Sequence, residues 1–148
     1  MMTSFISLFI VLSTWIAPPP VWLTDFDQAT KVATQSKKMI LVNFSGSDWC
    51  GPCIQMKKRI FDSRDFETYA QKNIVLLSID FPRMKRRQLS EDQTRKNEAL
   101  AKKYDPRGVL PYTMLINPAG KVLQEWVGAY DGDPDTFISE IEVTLNAK

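Results

Sequence analysis

MILVNFSGSDWCGPC, Met39 to Cys53, joins a short apolar run to a Gly/Ser/Asp turn and ends on two cysteines three positions apart. Met39–Phe44 is almost continuously apolar, the pattern of a strand covered on both faces. After the turn, Ile54, Met56, Ile60 and Phe61 recur at roughly helical spacing, so Cys50 is expected to open a helix. No other cysteine occurs in the 148 residues. The pair has three possible uses: a redox couple, half of a metal site, or a structural staple.

Composition narrows these uses. A chain of this length buries a core without a disulfide network, so a staple is unnecessary. Histidine is absent, which excludes imidazole bases and every zinc site that needs imidazole. A tetrahedral zinc site needs four ligands, and two cysteines supply half of them unless a second chain or several carboxylates join. No metal and no cofactor is therefore expected. The formal net charge of +2 is too small to point to nucleic acid or an anionic membrane surface.

Toward the N-terminus, Phe5–Ala17 (FISLFIVLSTWIA) is an uncharged, mostly apolar run closed by Pro18-Pro19-Pro20. It is shorter than the roughly 20 residues that span a bilayer comfortably and has the length of a signal-peptide core. No Lys or Arg precedes Lys31, and Trp15 and Pro18 make a poor small-x-small processing site around Ala17. Residues 1–20 are thus expected to be a signal peptide or an N-terminal membrane anchor through residues 1–17, with a buried amphipathic segment as the third reading. Residues 21–148 form the folded domain. Export fits the cysteine usage, because both thiols are committed to one motif. Next, Thr24 is expected to cap a helix reaching about Ser36, with Phe26, Ala29 and Ala33 inward.

Toward the C-terminus, Ile74–Ile79 (IVLLSI) repeats the buried-strand pattern, and a strand, helix, strand sequence of this kind makes a right-handed parallel crossover. Ser90–Tyr104 reads as a capped helix with acids early and lysines late. YTMLIN and KVLQEWVG flank Pro118-Ala119-Gly120 as an antiparallel hairpin. A last helix from Pro134 carries Phe137, Ile141 and Leu145 on one stripe. The expected fold class is α/β, a mixed central sheet with a parallel βαβ half, an antiparallel ββα half and helices on both faces.

Trp49-Cys50-Gly51-Pro52-Cys53 after a buried strand, with Gly108-Val109-Leu110-Pro111 before the hairpin, resembles the thioredoxin superfamily over about residues 22 to 147. The longer pattern is most similar to exported bacterial thioredoxin-like proteins. The resemblance implies a cis bond at Pro111 and a reducing lean for the Gly-Pro pair. The residues give a compatible reading. A cysteine at a helix N-terminus forms its thiolate more readily, so Cys50 is the expected nucleophile and Cys53, one turn inside, the more buried resolving thiol. Gly51 leaves the approach to Cys50 open and Pro52 stiffens the first turn. Trp49 is expected partly exposed beside the sulfur. Leu110 and Pro111 are expected against Cys50, offering backbone to an extended substrate. Cys50, Phe81-Pro82 and Pro111 should meet at one sheet edge.

Two departures from the family stand out. Thioredoxins carry a buried aspartate where this chain has Asn43, and a lysine where it has Leu76 or Leu77, so the proton relay to the second cysteine is absent. The turn before Cys50 is one residue longer and carries Asp48, either a substitute base or the cap of an exposed turn. The basic run Arg83, Lys85, Arg86, Arg87 leaves the same edge, either as a solvated loop or to tune Cys50 and select acidic partners. Three functions follow: an exported disulfide reductase acting on extracytoplasmic proteins with a membrane electron donor, a disulfide isomerase, or a non-catalytic binding or metal-carrying module.

Overall fold

A computed structural model describes residues 18–147; the signal or anchor reading of residues 1–17 lies outside them. The elements run β1 (Trp22–Leu23), α1 (Phe26–Ser36), β2 (Met39–Ser45), α2 (Gly51–Met56), α3 (Arg64–Asn73), β3 (Ile74–Asp80), α4 (Glu91–Tyr104), β4 (Tyr112–Ile116), β5 (Val122–Val127) and α5 (Pro134–Asn146). One sheet has the order β1-β3-β2-β4-β5. β3 runs parallel to both β1 and β2, whereas β4 is antiparallel to β2 and to β5. The expected mixed sheet is therefore present, with an added edge strand.

β2 is apolar throughout because it is central and covered on both sides. Leu41 packs with Met56, Ile60, Phe66, Leu76 and Phe137 from the α2, α3 and α5 side. Ile40, Val42 and Phe44 pack on the other face with Ala29, Ala33, Leu77 and Met114. Phe44, Phe66 and Phe137 are each fully buried, a burial that stabilises by about 1.5–3 kcal/mol per side chain.

Two expectations are corrected. Thr24 is not the cap of α1; Asp25 is, accepting from the Gln28 amide at 2.9 Å, because Trp22 and Leu23 are drawn into pairing with Leu76 and Leu77. Ile54 is 42% exposed, since α2 turns Cys53 and Met56 inward. The helix then widens into a π-helical turn, Lys57–Phe61, which lets the consecutive Ile60 and Phe61 both be buried. It breaks at Ser63, which caps α3 by accepting from the Phe66 amide.

Strand register decides where the site lies. Ser45 at the end of β2 pairs with Asp80 at the end of β3, and Phe44 pairs with Tyr112 at the start of β4. The turn leading to Cys50, the Phe81 loop and the residue after Pro111 therefore share one edge. At the opposite pole, Gln71 near the end of α3 donates to the Pro18 carbonyl at 2.8 Å.

Candidate active site

Cys50 sits between a turn and a helix. Its amide donates to the Gly46 carbonyl at 2.8 Å, and its own carbonyl accepts from Ile54 at 3.0 Å. In φ and ψ it is the extended N-cap residue of α2, and its Sγ accepts from the Cys53 amide at 3.3 Å. An N–H directed at sulfur favours the thiolate over the thiol. Cys50 and Cys53 are joined in a disulfide. Both sulfurs are buried, so the expected contrast in exposure is not found in this oxidised form: the bond holds Cys50 against the first turn beside Cys53. Gly51 faces open space, and Pro52 occupies the first turn beside it.

The Leu110–Pro111 peptide bond is cis. Pro111 is buried and its carbonyl accepts from the Gly128 amide at 2.9 Å. Leu110 is half-buried and packs with the Phe44 side of the core. Tyr112, next in the chain, sets its ring 5.7 Å from that of Phe44.

Trp49 is 38% exposed, and its Nε1 donates to the Phe81 carbonyl at 2.7 Å. The Arg83 guanidinium stands 3.5 Å over its ring. Gly46 permits this placement, because a β-carbon there would collide with the indole. Asp48 is engaged elsewhere than at the thiols. Its two carboxylate oxygens accept from the Arg83 and Met84 amides, each at 2.9 Å. The Arg83 amide, first, then that of Met84 and the charge of Arg87, hold its carboxyl below the usual aspartate value. Of the two readings offered by the sequence, the turn cap describes this arrangement. A third stitch was not anticipated: Asp80 accepts from the Ser47 amide at 2.8 Å and from its hydroxyl at 2.5 Å.

Beneath α2, Asn43 is 8% exposed and its Nδ2 donates to Thr113 Oγ1 at 2.9 Å. The pair joins β2 to β4 at matched register. Leu76 and Leu77 are both buried, on opposite faces of the sheet. A neutral amide thus stands where the family's charge would be, satisfied by a hydroxyl that the sequence did not single out. Asn43 also borders a pocket of about 230 Å³ with Ser45, Ser78, Asp80 and Lys57. Among the described residues no group of three or more His, Cys, Asp or Glu is placed to hold a metal ion.

A helix-capping dithiol on the edge where a parallel crossover meets an antiparallel hairpin, with a cis-proline opening that hairpin, is the arrangement of thioredoxin-fold proteins. The thioredoxin-like domain family matches residues 26–143, and the chain belongs to that family. It is 29% identical over 124 residues to the disulfide bond reductase DsbH of Chlamydia pneumoniae, covering 84% of this chain and 72% of that one. The thioredoxin-related protein DsbJ of the same organism is 32% identical over 84 residues, 57% of this chain and 24% of that one. A solved structure of a DsbH oxidoreductase superposes with a TM-score of 0.80 at 28% identity, covering 98% of this chain and 96% of the other. A Thermus thermophilus thioredoxin shares the fold, with a TM-score of 0.66 at 18% identity over 87% of this chain and 89% of the other.

Proposed function

We propose that this thiol–disulfide oxidoreductase works outside the cytoplasm and reduces disulfides of extracytoplasmic proteins through Cys50 and Cys53. The observation that carries the reading is the redox pair itself, closed as a disulfide at the N-cap of α2. The reductase name of the DsbH relative supports its direction. The apolar run Phe5–Ala17 and the commitment of every cysteine to one motif support the location.

In the reduced protein, the Cys50 thiolate attacks one sulfur of a client disulfide. The client S–S bond breaks, one client thiolate leaves, and a mixed disulfide forms. Cys53 loses its proton to solvent and attacks Cys50 Sγ, which forms the Cys50–Cys53 bond and expels the second client thiolate. The client gains two electrons and two protons, and the protein loses them. A dithiol donor, proposed to be membrane-held, returns them by the same exchange in reverse. Trp49, Gly51 and Pro52 shape the approach to Cys50, while Leu110 and Pro111 lie along the client's backbone.

Insulin reduction driven by dithiothreitol tests the assignment. The wild type is expected to accelerate it, and Cys50→Ser to return it to the uncatalysed rate. Equal rates from both proteins would reject the enzyme and leave a binding module. The reduction potential tests direction: about −270 mV, the thioredoxin range, supports a reductant, whereas about −120 mV marks an oxidant.

A further inference from the structure

The reductase reading leaves the basic run after β3 without a role. Arg83, Lys85, Arg86 and Arg87 are all exposed or half-exposed, and no acidic residue falls between Asp80 and Glu91. None of the ion pairs among the described residues involves them. Such a run is ordinarily a solvated loop, but here three contacts fix it to the redox site. Asp48, two residues before Cys50, holds the amides of Arg83 and Met84. The Phe81 carbonyl accepts from Trp49 Nε1, and the Arg83 guanidinium stacks on the same indole at 3.5 Å. Trp49 is the residue before the nucleophile, so this stacking sets a fixed positive charge on the rim of the site.

Beside that rim lies an open groove of about 690 Å³, bordered by Trp49, Phe81, Pro82, Arg83 and Leu89. Asp80, its carboxylate held by Ser47, and Glu91, Arg95 and Glu98 of α4 also border it, but it is Arg83 that stacks on Trp49, the residue before the nucleophile. The exposed surfaces of Trp49 and Leu89 give the groove apolar footing. A client chain crossing Trp49 to reach Cys50 passes the Arg83 guanidinium stacked on that indole.

We propose that Arg83, stacked on Trp49 and positioned by Asp48, is a specificity-determining residue. It selects client disulfides that have Asp or Glu close to the attacked cysteine. The proposal rests on the reductase reading. An alternative effect of Arg83, a general increase in Cys50 reactivity, would raise the rate on every client alike, so a ratio between clients separates the two.

The test uses the reduced full-length protein and three synthetic disulfide peptides that differ only in flanking Glu, Gln or Lys, with oxidation of the protein followed by stopped flow. The Gln peptide probes the reductase reading alone. The Glu/Lys ratio of kcat/KM probes the selection. A ratio of about fivefold is expected at low salt, the size of one exposed charge contact. It should shrink toward one at 1 M salt, where the Debye length is about 3 Å. Arg83→Glu should bring the ratio to one or below and Arg83→Met should bring it most of the way there, with the change in KM rather than kcat. Asp48→Ala, which frees the loop, should lower the ratio while Arg83 is still present. A wild-type ratio of one, or a ratio that Arg83→Glu leaves unchanged while all three rates fall together, overturns the selection. Reduction of none of the peptides overturns the reductase reading and the selection with it.

Discussion

Below the dithiol the buried side chains are neutral, and beside it the surface is charged. Beneath α2 the polar group is Asn43, joined to Thr113, with buried leucines where β3 would carry the family's lysine. At the rim, Asp48 holds the amide of Arg83, whose guanidinium stacks on the exposed Trp49 ring. Solvation accounts for the difference. A charge under the helix must be matched in a low dielectric or be costly, whereas a charge on the rim is cheap to keep and acts on whatever approaches. The buried polar pair beneath the helix is therefore uncharged, and the charges beside the dithiol stand at the surface.

The sharpest way to break this contrast is to put a charge underneath. Asn43→Asp places a carboxyl beside Thr113 at a buried position, and should destabilise the fold by about 3 kcal/mol at pH 8. Lys57, which borders the same pocket, is already paired with Asp62. The folded pKa of the new carboxyl therefore lies above its unfolded value, so the loss is absent below about pH 4 and grows as pH rises toward the folded pKa. Urea unfolding at pH 4.5 and pH 8 should separate the two regimes, and equal losses at both would show that Asn43 is not in a low dielectric.

Gly46→Ala moves the rim instead. A β-carbon would displace the Trp49 indole, at a cost of about 1–3 kcal/mol by the usual measure of overpacking. Arg83 should lose its stacking, seen as a change in the indole Nε1 resonance of Trp49. An unchanged resonance would mean that the ring can shift and keep its partners. A smaller effect is expected from Asp48→Asn, which keeps the shape but weakens the hold on the loop. Amide exchange at Arg83 and Met84 should accelerate while exchange in β2 and β3 stays the same. Uniform acceleration would make Asp48 a global stabiliser.

The mildest perturbation is acid. The folded pKa of Asp48 is depressed, so its hold on the loop is complete above the ordinary value of 3.8 and is lost as pH falls through the lower folded value. The amide shifts of Arg83 and Met84 should titrate together with a midpoint below 3.8; a midpoint at or above it would contradict the charge-assisted cap.

The parts of this architecture legible in the sequence are those written locally. The run Met39–Phe44 announces a covered strand because each residue contributes to the same pattern, and Ser90 announces a helix start by its own side chain. Asn43 in place of an acid is visible in the same way, as is the loss of a lysine in β3. What cannot be read there depends on partners far along the chain. Asp48 finds its donors 35 and 36 positions away, and Asn43 finds Thr113 70 positions away. β1 has two residues, too few to show any period, and exists because the open edge of β3 accepts them. The π-helical turn escapes because the spacing of Met56, Ile60 and Phe61 reads as ordinary helix, with nothing local to mark the wider turn.

The chain enters the domain at the Pro18–Gln71 contact, at the foot of the parallel strands. β2 has seven residues, which at about 3.3 Å each set the foot about 20 Å from the edge that bears Cys50. Whatever precedes Pro18 is therefore joined to the domain at the pole opposite the dithiol, about one strand length from the groove beside Trp49.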